Sequence, residues 1–407
     1  MNNHIKQAGK VLQQISPILD NFIQQDGNPG LLSGYTGCAL FYAYYYYLTG
    51  KKKYLKQVHT VMLKSIQALS EQEMMLSHCS GISGIAWSIQ HLINAGFAEG
   101  DGMQDIFEEA DEILGNFMDE DLRDNNYDFL HQGLGTAIYF LERLPHPTAV
   151  KYLSGVVQQL EKSAVSDAQG IRWKDRFSLT SREELERGQS CFNLGLAHGM
   201  PAIITILGMI HEKGIEVETT RRLIEGSLQW LLAIQNPPAE GLTSIYPPLV
   251  GEANEAINGA QSRLGWCYGD LSVAATLWST GIRIGQPVYQ QAAYTIFEHS
   301  IHQRNPKNGS VHDACLCHGS AGITHIYRRM ALHNQDALLL QGADKWLQAT
   351  LELNTWQDGL AGYKFFAHPD YHNSYNLLEG ITGVGLALIA AVDTQTQPAW
   401  DRCLLLS

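Results

Sequence analysis

One pattern recurs seven times along this chain: a glycine, a small residue three positions later, and then an apolar run. The seven copies are Gly34-Tyr35-Thr36-Gly37, Gly81-Ile82-Ser83-Gly84, Gly133-Leu134-Gly135-Thr136, Gly199-Met200-Pro201-Ala202, Gly269-Asp270-Leu271-Ser272, Gly319-Ser320-Ala321-Gly322 and Gly380-Ile381-Thr382-Gly383. They stand 47, 52, 66, 70, 50 and 61 residues apart, within the range of solenoid and toroid repeats. Behind the motifs run apolar segments with little charge, such as 38–48, 85–93, 273–278 and 384–392. Ahead of them lie longer amphipathic stretches, as at 4–22, 54–69, 106–118, 220–234 and 288–302. Apolar residues there fall at helical spacing, for example Val61, Ile66 and Leu69, or Ile224, Leu228 and Leu231.

Each unit therefore reads as an outer amphipathic helix, a loop, a Gly-rich turn and an inner helix buried on most sides. A helix that is apolar all round must be surrounded by protein, and a closed ring of hairpins provides that. The expected fold is all-α: an α/α toroid, or double α-barrel, of seven helical hairpins, with strands limited to short loop pairings. Length alone would suggest two or three domains. Units of this size cannot bury their own cores, so one domain over residues 1–407 is expected instead.

Charged residues make up 17% of the chain, against roughly 25% in an average soluble protein, which suits a large buried interior. The net charge of −13 argues against a nucleic-acid footprint and gives no attraction to anionic lipid. The first six residues begin no apolar signal core, and no apolar run approaches the ~20 residues that span a bilayer. The Tyr-rich run 41–47 reads as an inner helix. Seven cysteines, an odd number without a secretory signal, favour the cytoplasm and metal or thiol chemistry over a disulfide framework.

The two longest intervals carry their extra residues at 166–193 and 237–265, just before the repeats with His198 and Cys267. The second is loop-like, with Pro237-Pro238 and Pro247-Pro248. Long loops beside a site shape substrate access, although structural filling is an equal reading of the first.

The repeat register ranks the candidate ligands. Cys267 and Cys317 both stand two residues before a motif glycine, and His318 follows Cys317 directly. Two thiolates and an imidazole suit zinc, and three protein ligands leave one coordination position open for chemistry. His198 shares the register of His318 on the repeat next to Cys267, as a general acid or base or as a capping histidine. Asp128, five residues before its motif glycine, could orient that imidazole or cap a helix. Arg263, four residues before Cys267, could stabilise an oxyanion or pair with an acidic neighbour.

The pattern resembles the lanthionine synthetase C-like family, the lanthipeptide cyclases. The resemblance covers essentially the whole chain and rests on the seven Gly-rich repeats, Ala197-His198-Gly199, Ser262-Arg263 followed by Trp266-Cys267-Tyr268-Gly269, and Cys317-His318-Gly319. It implies a double α-barrel with Zn2+ on Cys267, Cys317 and His318. It also implies catalytic or substrate-handling roles for Asp128, His198, Arg263 and Tyr268, with Trp266 packed at the site. The implied reaction adds Cys thiols to dehydroalanine or dehydrobutyrine of a dehydrated precursor peptide, forming lanthionine or methyllanthionine. The implied partners are that peptide, a separate dehydratase as in class I pathways, and an export transporter. Relatives that add glutathione to dehydrated residues, and a non-catalytic peptide-binding toroid, are the alternatives. The chain departs from the family pattern at Asp270-Leu271-Ser272, where Pro-Gly is common, and at Ala202, where Gly is usual. The first departure bears on substrate room near Asp270.

Overall fold

Every amphipathic stretch forms a helix, and every apolar stretch forms the helix after it. The computed structural model describes residues 3–99, 104–175, 190–257, 259–333, 335–393 and 397–407. Among them are fourteen α-helices: α1 (Asn3–Phe22), α2 (Gly37–Thr49), α3 (Lys52–Glu71), α4 (Ile82–Asn94), α5 (Gln104–Arg123), α6 (Thr136–Arg143), α7 (Pro147–Ser163), α8 (Met200–Glu212), α9 (Val217–Ala233), α10 (Asp270–Arg283), α11 (Pro287–Gln303), α12 (Ser320–Ala331), α13 (Ala337–Glu352) and α14 (Ile381–Val392). Seven short strands, β1 (Val165–Asp167), β2 (Gly170–Arg172), β3 (Phe192–Asn193), β4 (Leu249–Val250), β5 (Ala256–Ile257), β6 (Phe365–Ala367) and β7 (Asp370–His372), lie in loops. They are the loop pairings expected.

The chain forms two compact units, one of Met1–Ala110 with Ser310–Cys403, the other of Asp111–Gly309 with Leu404–Ser407. In the first, α12, α14, α2 and α4 pack in that order as inner helices, with α13, α1 and α3 against them. In the second, α6, α8 and α10 pack side by side, with α7, α9 and α11 outside. The difference between layers follows from sequence. Outer helix α1 buries Ala8, Val11, Leu12, Ile15 and Leu19, a stripe at helical spacing, and turns its charges outward. Inner helix α14 buries every residue from Ile381 to Ala391. Truncating a fully buried residue such as Leu12 to alanine costs about 2–5 kcal/mol in a core of this kind. The Tyr-rich run lies in α2, where Phe41 and Tyr42 are buried.

The repeated glycine has a specific steric reason. Ahead of four of the inner helices the loop hooks back, so that the carbonyl six residues before the glycine passes over its Cα. A Cβ at Gly34 would collide with Asn28 O, at Gly81 with Met75 O, at Gly199 with Asn193 O and at Gly269 with Arg263 O. The same hook satisfies N–H groups that a helix start leaves without partners: Ile82 donates to Met75 O, Ser320 to Asp313 O and Ile381 to Ser374 O. Only Gly269 of these motif glycines also needs a left-handed backbone, at φ +94°. The small residue three positions on serves packing, since a Cβ at Gly37 would sit 2.8 Å from Leu377 Cβ.

The two insertions are joined. Strand β3, at the end of the first, pairs antiparallel with β4 of the second, and β4 pairs with β5. The first insertion also supplies the β1–β2 hairpin, whose β2 packs on α9. Its residues 176–189 lie outside the described residues.

Candidate metal centre and active site

The hooks place the candidate side chains. In the second unit, Asp128 lies in the loop after α5, His198 directly before Gly199 and α8, and Tyr268 directly before Gly269 and α10. The two oxygens of Asp128 have different partners. Its Oδ1 accepts the backbone N–H groups of Leu130 and His131, each at 2.9 Å, as a turn cap does. Its Oδ2 lies 2.6 Å from His198 Nδ1. That contact engages Nδ1 and leaves Nε2 on the other side of the ring.

His198 is about a fifth exposed. Burial works against a charged imidazole. The hydrogen bond and charge of Asp128, with Cys267 and Asp175 adding, outweigh burial and raise its pKa above the ordinary value. Its ring lies nearly parallel to Tyr268, centroids 5.6 Å apart, and to His131 at 5.9 Å. Asn193 holds the far side of this group. Its Nδ2 donates to Tyr268 Oη and to Asp175 Oδ2, both at 3.1 Å, while its Oδ1 accepts Gly195 N–H at 2.8 Å. Burial raises the Tyr268 phenol and keeps it protonated. Asn193 and Asp175 escaped sequence reasoning. His131 carried a signal, since it stands two residues before Gly133 as Cys267 does before Gly269.

The hook that carries Cys267 is tied down at both ends. Trp266, buried, donates its indole N–H to Leu404 O at 2.7 Å. Arg263 is exposed, and its carbonyl is the one that passes over Gly269. Asp270, which raised the question of substrate room, is fully buried and serves another purpose. Its Oδ1 accepts Ile245 and Tyr246 N–H at 2.9 and 3.0 Å, and its Oδ2 takes Arg304 Nη1 at 2.6 Å. Arg304 is itself fully buried and also bonds Ser244 Oγ and Ser262 O. A charge pair inside the fold thus fastens the second insertion to the start of α10.

In the first unit, Cys317 and His318 occupy the turn before Gly319 and α12, and Cys317 N–H donates to Leu378 O at 3.0 Å. Cys317 is buried and His318 partly buried, with its Nδ1 3.9 Å from Glu379 Oε1. Asp313 braces the turn: Oδ1 accepts Cys315 N–H and Oδ2 accepts Phe366 N–H. Burial, with Asp313 beside it, holds the Cys315 thiol well above the usual range and therefore protonated. None of the seven cysteines is in a disulfide.

Inner and outer helices in series, with Cys, His and Asp gathered in the hooks between them, define an all-α class of protein. Among solved structures the chain matches nisin cyclase, with a TM-score of 0.76 at 18% identity, over 98% of this chain and 97% of that one. The fold class is therefore the α/α toroid expected from the repeats. The chain belongs to the lanthionine synthetase C-like protein family, whose sequence pattern matches residues 25–405. No curated protein matches it in sequence. No helix of the described residues is long and apolar enough to cross a membrane.

Proposed function

We propose that this chain is a lanthipeptide cyclase, zinc-dependent and of the class I type. It adds the Cys thiols of a dehydrated precursor peptide to dehydroalanine or dehydrobutyrine in the same peptide. The observation that carries the reading is the Asp128–His198 pair beside Tyr268, one residue from Cys267, in a chain of this family. The solved neighbour is named as a cyclase, and the same reaction type is proposed here. The whole chain is read as one catalytic domain.

The residues present suit zinc by their donor chemistry. Cys267 and Cys317 offer buried sulfurs, 4% and 6% exposed, and His318 offers an imidazole. Two sulfurs and one nitrogen are a borderline-soft set that favours zinc over magnesium or calcium, and three such ligands would leave a fourth position for a substrate. Cys315, whose sulfur accepts the backbone N–H of His318 at 3.4 Å, is left out of the set. When bound, zinc supplies Lewis acidity that lowers the pKa of a substrate thiol.

The protein's own groups do the rest. As the carbon–sulfur bond closes at the β-carbon, Arg263 is assigned the negative charge that develops on the enolate oxygen. His198 gives a proton from Nε2 to the α-carbon, and Asp128 keeps that imidazole charged and oriented through Nδ1. Tyr268, its hydroxyl held by Asn193, flanks the imidazole as a neutral phenol. Trp266 holds the hook through Leu404. One proton leaves the thiol and one reaches the α-carbon, so peptide mass is unchanged. A separate dehydratase prepares the substrate, an export transporter takes the product, and the reaction is placed in the cytoplasm, where seven cysteines outside any disulfide are at home.

The test follows thiols rather than mass. A dehydrated precursor incubated with the zinc-loaded enzyme should lose thiols that react with an alkylating reagent. Chelation or Cys317→Ala should abolish that loss along with the bound zinc. Coupling of added glutathione while peptide thiols persist would install the glutathione-adding reading. Binding of the peptide with no reaction, zinc still in place, would leave a peptide-binding toroid.

A further inference from the structure

The reading above uses Asp128 and His198 and leaves His131 without a task. We propose that Asp128, His131 and His198 form a second metal site, of lower affinity, for a divalent transition metal. One carboxylate oxygen and one nitrogen from each imidazole lie within 4.8 Å of one another, all in the same unit. The three are ordered before any ion arrives. Asp128 Oδ1 is committed to the N–H groups of Leu130 and His131, so the residue that fixes the carboxylate also fixes the turn carrying the second imidazole. Oδ2 faces His198 Nδ1 at 2.6 Å, and the two imidazoles stack at 5.9 Å with a tilt of 25°.

The donor set selects the ion class. Two imidazole nitrogens and one carboxylate oxygen suit zinc, nickel or cobalt, whereas magnesium and calcium want oxygen throughout. Without a thiolate the site is weaker than one built on Cys donors. Access is open, because His131 is exposed while Asp128 and His198 are each about a fifth exposed. The entering ion takes the place of the proton shared between Asp128 and His198, and that proton leaves to solvent. An ion seated there would hold the imidazole that the cyclase reading uses as proton donor, so excess metal would silence the enzyme. The metal-binding test below does not depend on that reading.

Zinc would be titrated by calorimetry into protein that already holds one equivalent, with bound metal counted by elemental analysis. Wild type should take up a second equivalent more weakly than the first. His131→Asn and, independently, Asp128→Asn should weaken that second step by at least roughly 10- to 100-fold and leave the first equivalent bound. Cobalt(II) added as the second equivalent should show no thiolate charge-transfer band. Absence of a second equivalent, its survival undiminished in folded His131→Asn, or a thiolate band on the second cobalt would each overturn the proposal.

Discussion

Arg304 and Asp270 form a charge pair with no solvent exposure, and its removal gives a sharp test of how the Cys267 hook is held. The variant Arg304→Met keeps much of the apolar volume and deletes the guanidinium. It would strip Asp270 of the 2.6 Å contact and leave Ser244 Oγ and Ser262 O without that donor. Breaking a buried pair from one side costs about 3–5 kcal/mol, because the remaining charge is neither solvated nor paired. Part of that is recovered by protonation. Burial already raises the Asp270 pKa against the pull of Arg304, and without Arg304 it rises further. A raised carboxyl pKa favours the folded state at low pH and opposes it as pH rises, so the penalty should be larger at pH 8 than at pH 5. Urea denaturation of the zinc-loaded protein would measure it. The double variant Asp270→Asn/Arg304→Met leaves no buried charge and keeps an oxygen for Ile245 and Tyr246, so it should be no less stable than Arg304→Met alone. A single-variant penalty within ~0.5 kcal/mol of wild type, the range of ordinary surface changes, would refute the reasoning. So would a double variant whose penalty equals the sum of the two single ones.

His198→Ala should keep zinc and lower turnover by about 10²- to 10⁴-fold, whereas loss of metal from the folded variant would make His198 a ligand. Gly269→Ala sets a Cβ against Arg263 O at φ +94° and should destabilise by more than about 1 kcal/mol; equal stability by denaturation would contradict the hook. His78, fully buried with Nε2 2.9 Å from Cys403 O, has its pKa lowered by burial from 6.5 to about 4. The fold favours its neutral form, so that contribution is present above pH 6.5 and lost as pH falls through 4. The loss is roughly 3 kcal/mol at ~1.4 kcal/mol per unit, and folded His78→Gln should show a flatter stability profile over that window.

The repeat of glycine, small residue and apolar run was enough to specify alternating outer and inner helices, because hydrophobic periodicity and steric demand at a turn are local properties. Amphipathic α1 and all-apolar α14 could be told apart from sequence for that reason. The register also drew attention to Cys267, Cys317, His318 and His198, since residues at one position of a repeat reach the same end of their helices. What a carboxylate does depends on neighbours far along the chain. Asp128 read as a helix cap or as orienting an imidazole; in the fold one oxygen takes the N–H groups of a turn and the other lies against His198, 70 residues along the chain. Asp270 read as a departure from the family pattern bearing on substrate room. The fold puts it against Arg304, 34 residues on, as the clasp of an insertion. Asn193 and Asp175 carried no signal, because a polar residue in a loop becomes part of a site only when the tertiary structure brings it there.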